Sequence, residues 1–140
     1  MKIFKKLLLL IMVFSGAFYF ANYLRSTNSR PVKLLPTKMN FIKTEHNFKN
    51  IIRNKEVSTF FIYENKGNNP LKINNISSTC GCTIPIWSRK VLAPGQKDSI
   101  LVKYDSKTLG YFSKSIYVVS NSENSPDILY IKGEVLEKKY

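Results

Sequence analysis

The chain has 140 residues, 44% of them hydrophobic and 13% aromatic, with a formal charge of +13. That is room for one small domain with a real core plus an accessory segment, and it excludes two full domains. Even with Lys2, Lys5 and Lys6 set aside, about +10 remains, yet the cations are spread singly along the chain instead of clustering with aromatics. This reads as a solvated basic surface, suited to lie near an anionic membrane, and not as a nucleic-acid interface.

Met1 to Lys6 is a short basic region, and Leu7 to Leu24 is nearly unbroken apolar sequence. Two readings compete. Leu7 to Phe14 could be the apolar region of a secretory signal cleaved near Ser15-Gly16-Ala17. Alternatively, the whole run is an uncleaved helix of about 18 residues, just long enough to cross a bilayer. The anchor is favoured, because the apolar run continues through Phe18, Tyr19 and Phe20, and Tyr19 and Tyr23 suit an interfacial aromatic belt. With no cysteine near its end, the leader does not read as that of a lipoprotein. Either reading places the rest outside the cytoplasm. Arg25 to Asn40, with Pro31 and Pro36, reads as a linker ahead of a domain over 41–140.

From Phe41 onward, helical periodicity is absent and short strand-like runs recur. They are Phe41 to Thr44, Glu56 to Glu64, Leu71 to Ile76, Ile84 to Trp87, Ser99 to Tyr104, Phe112 to Ser120 and Leu129 to Val135. Asn65 to Pro70, Ala93-Pro94-Gly95-Gln96 and Asn121 to Pro126 supply turn chemistry between them. Gly133 marks a place where only a small residue fits. About seven alternating strands in roughly 95 residues predict an all-β, immunoglobulin-like two-sheet sandwich; a small closed barrel is the lesser alternative.

Cys80-Gly81-Cys82-Thr83 is the motif richest in chemistry. In extended backbone the two sulfurs share a face but stand too far apart to bond without distortion, and a tight turn at Gly81 brings them closer. Three readings stay open: a strained, reducible disulfide, a thiolate pair for a soft metal such as Cu(I) or zinc, or a turn with packed cysteines. A structural zinc site wants four ligands, and besides these two the chain offers only His46, Met39 and a few acids. His46 as a thiolate partner lacks an orienting third residue. Trp87 with the other aromatics reads more readily as core than as a sugar platform, and Asp98 and Asp105 give no convincing acid pair.

Taken together, Asn65-Lys66-Gly67, Pro70-Leu71-Lys72-Ile73, Cys80-Gly81-Cys82-Thr83, Pro94-Gly95, Tyr104-Asp105, Gly110, Lys114, Ser120-Asn121 and Gly133 resemble the bacterial family called domain of unknown function 1573. The resemblance spans about Phe41 to Val135. It implies an immunoglobulin-like sandwich similar to domains of the major sperm protein and centrosomal or ciliary type, in envelope proteins common in Bacteroidota. No activity comes with it. Where members often show Asp-Phe-Gly near the domain start, this chain has Asn47-Phe48-Lys49. The expectation is a non-enzymatic, membrane-tethered interaction or structural module of the cell envelope, facing the periplasm, with an envelope protein as partner and no cofactor, metal or nucleic acid. The alternative is a thiol-redox or soft-metal protein using Cys80 and Cys82.

Overall fold

The computed structural model describes residues 34–138, together with Gly16, Ala17, Tyr19 and Phe20, whose backbone is helical. The rest of the expected leader and the linker up to residue 33 lie outside the described residues. Among those described, no helix is long and apolar enough to cross a membrane.

Residues 34–138 fold as two four-stranded sheets. There are eight strands: β1 (Met39–Phe41), β2 (Glu45–Ile52), β3 (Glu56–Asn65), β4 (Ile73–Ser78), β5 (Thr83–Trp87), β6 (Lys97–Asp105), β7 (Gly110–Ser120) and β8 (Asp127–Leu136). One sheet runs β1-β3-β6-β5 and the other β2-β8-β7-β4. All pairings are antiparallel except β2 with β8, which is parallel.

Seven expected strands are thus eight, and the addition is β2. Its sequence, Glu45-His46-Asn47-Phe48-Lys49-Asn50-Ile51-Ile52, starts with alternation and loses it at a bulge between Asn47 and Asn50. Lys49 there takes φ 56°, the left-handed region. One extra residue reverses which side chains face the core, so the period-2 signal cancels across the strand.

The core is what strict alternation dictates. Phe61, Ile100, Val102, Ile116, Val118, Leu129 and Ile131 are fully buried between the sheets. Each contributes about 1.5–3 kcal/mol relative to staying in water. Tyr104 of β6 and Phe112 of β7 stack across the layers at 3.9 Å and close one end. At the turn Ala93 to Gln96, Gln96 N donates to Ala93 O at 3.1 Å, and Gly95 takes φ 78° as the Pro-Gly pair requires.

From Leu34 on, the chain leading into β1 is bonded to the sandwich. Asn121 Nδ2 donates to Leu35 O and Pro70 O, Asn69 Nδ2 donates to Pro36 O, and Thr37 Oγ1 donates to Asn65 Oδ1 at 2.9 Å. Asn65 is completely buried; its Nδ2 donates to Asn69 O and Leu92 O, while its Oδ1 also accepts from Gly67 N. A residue expected as the start of a turn is the polar clasp that seats this segment.

Candidate functional site

The Cys80–Thr83 segment joins β4 of one sheet to β5 of the other. Of the three readings open from sequence, the structure realises the disulfide: Cys80 and Cys82 are bonded, with Cα atoms 5.3 Å apart. Fully extended backbone would hold such atoms about 6.6 Å apart. The difference is the turn, in which Thr83 N donates to Cys80 O at 3.3 Å. Ser78 Oγ lies 2.8 Å from both Cys80 O and Thr83 O, so its single proton is shared between two carbonyls. Asp105 N donates to Cys82 O at 2.9 Å, and Thr79 N donates to Ser115 O. The turn is therefore held to both sheets by groups other than sulfur.

Thr83 Oγ1 lies 3.6 Å from Cys80 Sγ and 3.9 Å from Cys82 Sγ, and the residue is buried. Divalent sulfur is a weak acceptor, so this hydroxyl is poorly satisfied while the sulfurs are bonded to each other. Both cysteines are half-buried, and Gly81 is exposed, with nothing within 4 Å of where a Cβ would stand. Gly81 also does not take positive φ, so neither crowding nor turn geometry demands glycine there.

Beside the disulfide opens a pocket of about 420 Å³, lined by Cys82, the Tyr104 and Phe112 rings, Lys107, Tyr111 and Lys114 among others. Lys107 is paired with Asp105 at 2.6 Å, which holds its ammonium above the usual lysine range. Lys114 sits at an inward-facing position of β7, between buried Phe112 and Ile116, and has no acidic partner among the described residues. Tyr111 is 86% exposed and stands between this pocket and a second, shallower one of about 670 Å³ around Asn47, Lys49, Lys132 and Glu134. A hydrogen bond to Glu134 raises the Tyr111 phenol above its ordinary range.

The other candidates scatter. His46 lies beside Lys43 (3.3 Å) and edge-on to Phe48, away from the cysteines, and burial together with the Lys43 charge lowers its pKa. Met39 is buried in the core, and Asp98 and Asp105 stand at opposite ends of β6. Trp87 is half-buried under the Arg89 guanidinium, 4.2 Å from its ring centre. Among the described residues no group of three or more His, Cys, Asp or Glu side chains could hold a metal ion.

A second feature is a surface. On the outward face of β1-β3-β6-β5, Phe60, Leu101 and Ile86 stand side by side across three strands. Ile62 and Ile84 adjoin them, and Phe60, Ile62, Ile84 and Ile86 are 55%, 42%, 49% and 48% exposed. At one end of this patch Lys103 pairs with Glu56, and at the other Lys66 and Lys97 pair with Glu64. Phe60, expected with the other strand aromatics in the core, instead faces outward. Only register across strands shows that three apolar side chains share one wet face.

The model of one protein family, described as protein of unknown function (DUF1573), matches residues 39–135. The chain belongs to the DUF1573 family. A comparison with curated proteins finds no match. Among solved structures, a protein of unknown function from Porphyromonas gingivalis W83 is similar at TM-score 0.64 and 13% identity, covering 77% of this chain and 51% of that one. The DUF1573 chain therefore spans about half the length of that relative. The ASH / PapD-like domain of human CEP192 is similar at TM-score 0.63 and 14% identity, covering 81% of this chain and 98% of that domain. The Vibrio cholerae secreted serine protease VesC is similar at TM-score 0.56 and 12% identity, over 74% of this chain and 24% of the protease. At such identities these likenesses show a shared sandwich fold and nothing more.

Asn47-Phe48-Lys49 is the bulge of β2 in this DUF1573 chain. Lys49 occupies the left-handed conformation that glycine adopts without steric cost, and Asn47 Oδ1 accepts from Lys49 N at 2.8 Å. The bulge is kept at the cost of backbone strain. Lys49→Gly is expected to raise stability by about 1 kcal/mol, read as a higher urea midpoint at unchanged slope.

Proposed function

We propose that this chain is a non-enzymatic interaction module of the bacterial cell envelope. Its apolar N-terminal segment holds it at the periplasmic side of the inner membrane, and it docks a protein partner on the outward face of β1-β3-β6-β5. The observation that carries this reading is the in-register row Phe60–Leu101–Ile86 with Ile62 and Ile84 beside it. Contiguous exposed apolar patches rimmed by polar groups mark protein contact surfaces.

Packing on the face is favoured over strand addition at an edge, because each edge is blunted. β1 has three residues, β5 carries Pro85 with no N–H to donate, and β2 and β4 are bulged. Glu56 and Glu64 offset two of the three rim lysines. It is therefore the apolar row, and not a cluster of unpaired cations, that distinguishes this face, which suits a protein more than an anionic lipid surface.

Phe60→Glu and Ile86→Glu are expected to shift the protein, solubilised from its host membranes in mild detergent, from a larger native assembly to single-chain size. Their melting temperatures should stay within a few degrees of wild type, since both side chains are about half exposed. Variants that still run with the wild-type assembly would overturn the docking face. For the anchor, mass spectrometry of the mature protein should find the chain starting near Met1; a chain beginning at Phe18 would show cleavage instead.

A further inference from the structure

The geometry points to Cys80–Cys82 as a thiol–disulfide exchange site for a small anionic thiol, admitted through the pocket that Cys82, Lys107 and Lys114 line. This goes beyond the docking reading and is independent of it, since the pocket and the apolar face share none of the residues invoked for either.

Three observations converge. Gly81 leaves the bridge open to approach, with nothing near where a side chain would stand. Thr83 puts a buried hydroxyl within 3.6 and 3.9 Å of the two sulfurs, a donor that a neutral disulfide uses badly and a thiolate uses well. Lys114 adds a half-buried cation with no acidic partner among the described residues, and Lys107 offsets Asp105, so the pocket carries a net positive charge beside sulfur. The turn, meanwhile, is fixed by Ser78, the Thr83 N–H and the Asp105 N–H, so it keeps its shape whether or not the sulfurs are joined.

In the exchange, the incoming thiolate attacks Cys82 Sγ. A new S–S bond forms there as the Cys80–Cys82 bond breaks, and its electron pair leaves on Cys80 Sγ, where the Thr83 hydroxyl donates. A second thiolate then attacks the bound thiol's sulfur, releasing a small disulfide and a Cys82 thiolate. The two protons lost by the incoming thiols end on Cys80 and Cys82, so two thiols are oxidised and one protein disulfide is reduced. An oxidised small disulfide runs the same steps backward.

The test uses the purified full chain with reduced glutathione (anionic) and cysteamine (cationic), following the protein dithiol by alkylation and mass spectrometry. Glutathione should react faster than cysteamine. Lys114→Glu should lower the glutathione-to-cysteamine rate ratio about fivefold or more. Reduced Cys80→Ser, given oxidised glutathione, should retain one glutathione on Cys82, while reduced wild type should close its disulfide and retain none. Thr83 is a positioning residue. In the reduced protein, Thr83→Val should move the pH inflection of alkylation upward, and Thr83→Ser should restore it. A bridge that resists both thiols until the protein unfolds would overturn the proposal. So would equal rates for both thiols, unmoved by Lys114→Glu.

Discussion

Replacing Asn65 by leucine is expected to cost about 4 kcal/mol, placing it among the most damaging single changes this domain can suffer. Leucine matches asparagine in length but offers no polar atom, and the site is fully buried. Four hydrogen bonds disappear with the amide. Leu92 O keeps a second donor in Leu71 N, so the loss falls on the buried Thr37 hydroxyl, the Gly67 N–H and the Asn69 carbonyl. Each stranded group costs about 1–3 kcal/mol. Thermal denaturation should show a melting temperature at least about 15 °C lower. Amide exchange should rise first at Thr37 and Lys66, whose N–H groups bond Asn121 O and Lys38 O along the seated segment. A change under about 1 kcal/mol would mean that the clasp does not hold the segment.

Gly133→Val is expected to cost about 3 kcal/mol, the upper end for overpacking. A Cβ at Gly133 would stand 2.9 Å from the Lys49 carbonyl oxygen and 2.9 Å from two carbons of the Phe112 ring. Neither neighbour can yield cheaply. Lys49 O belongs to the β2 bulge, and Phe112 is stacked on Tyr104 at 3.9 Å. The bulge of one strand is nested on the missing side chain of the next. Gly81→Val is the contrast, because a Cβ there meets nothing within 4 Å, and its stability should change by no more than about 0.5 kcal/mol. Urea titration of the two variants side by side checks both, and equal losses would show that the Gly133 contact is not what sets the cost.

The strands legible in the sequence were those whose alternation runs unbroken to a turn. In β3, β6, β7 and β8 most inward-facing positions are apolar, with exceptions such as Thr59, Asn65 and Lys114, because one face of each sheet is sealed by the other. β2 was illegible because its bulge reverses the pattern midway, and because its partner β8 is parallel and remote in sequence. β1 was expected at Phe41 to Thr44 and lies at Met39–Phe41, since the asparagine clasps draw the preceding segment onto the sheet. Gly133 was read as a place for a small residue, and crowding explains it. Gly81 looked like a turn requirement and is none. The cysteine pair was visible, but its bonded state depends on a turn set by the Ser78 hydroxyl and the Thr83 N–H, groups that carry no spacing signal. The apolar face escaped notice because Phe60, Leu101 and Ile86 come from three separate strands and meet only through register.

The most direct measurement of the docking face is photo-cross-linking in the living host. A benzophenone amino acid replaces Phe60 on that face, or Ser113, which is exposed on the opposite sheet. The expected result is one discrete protein adduct from position 60 and none from position 113. No adduct from position 60, or the same adduct from both positions, would contradict a partner seated on the outward face of β1-β3-β6-β5.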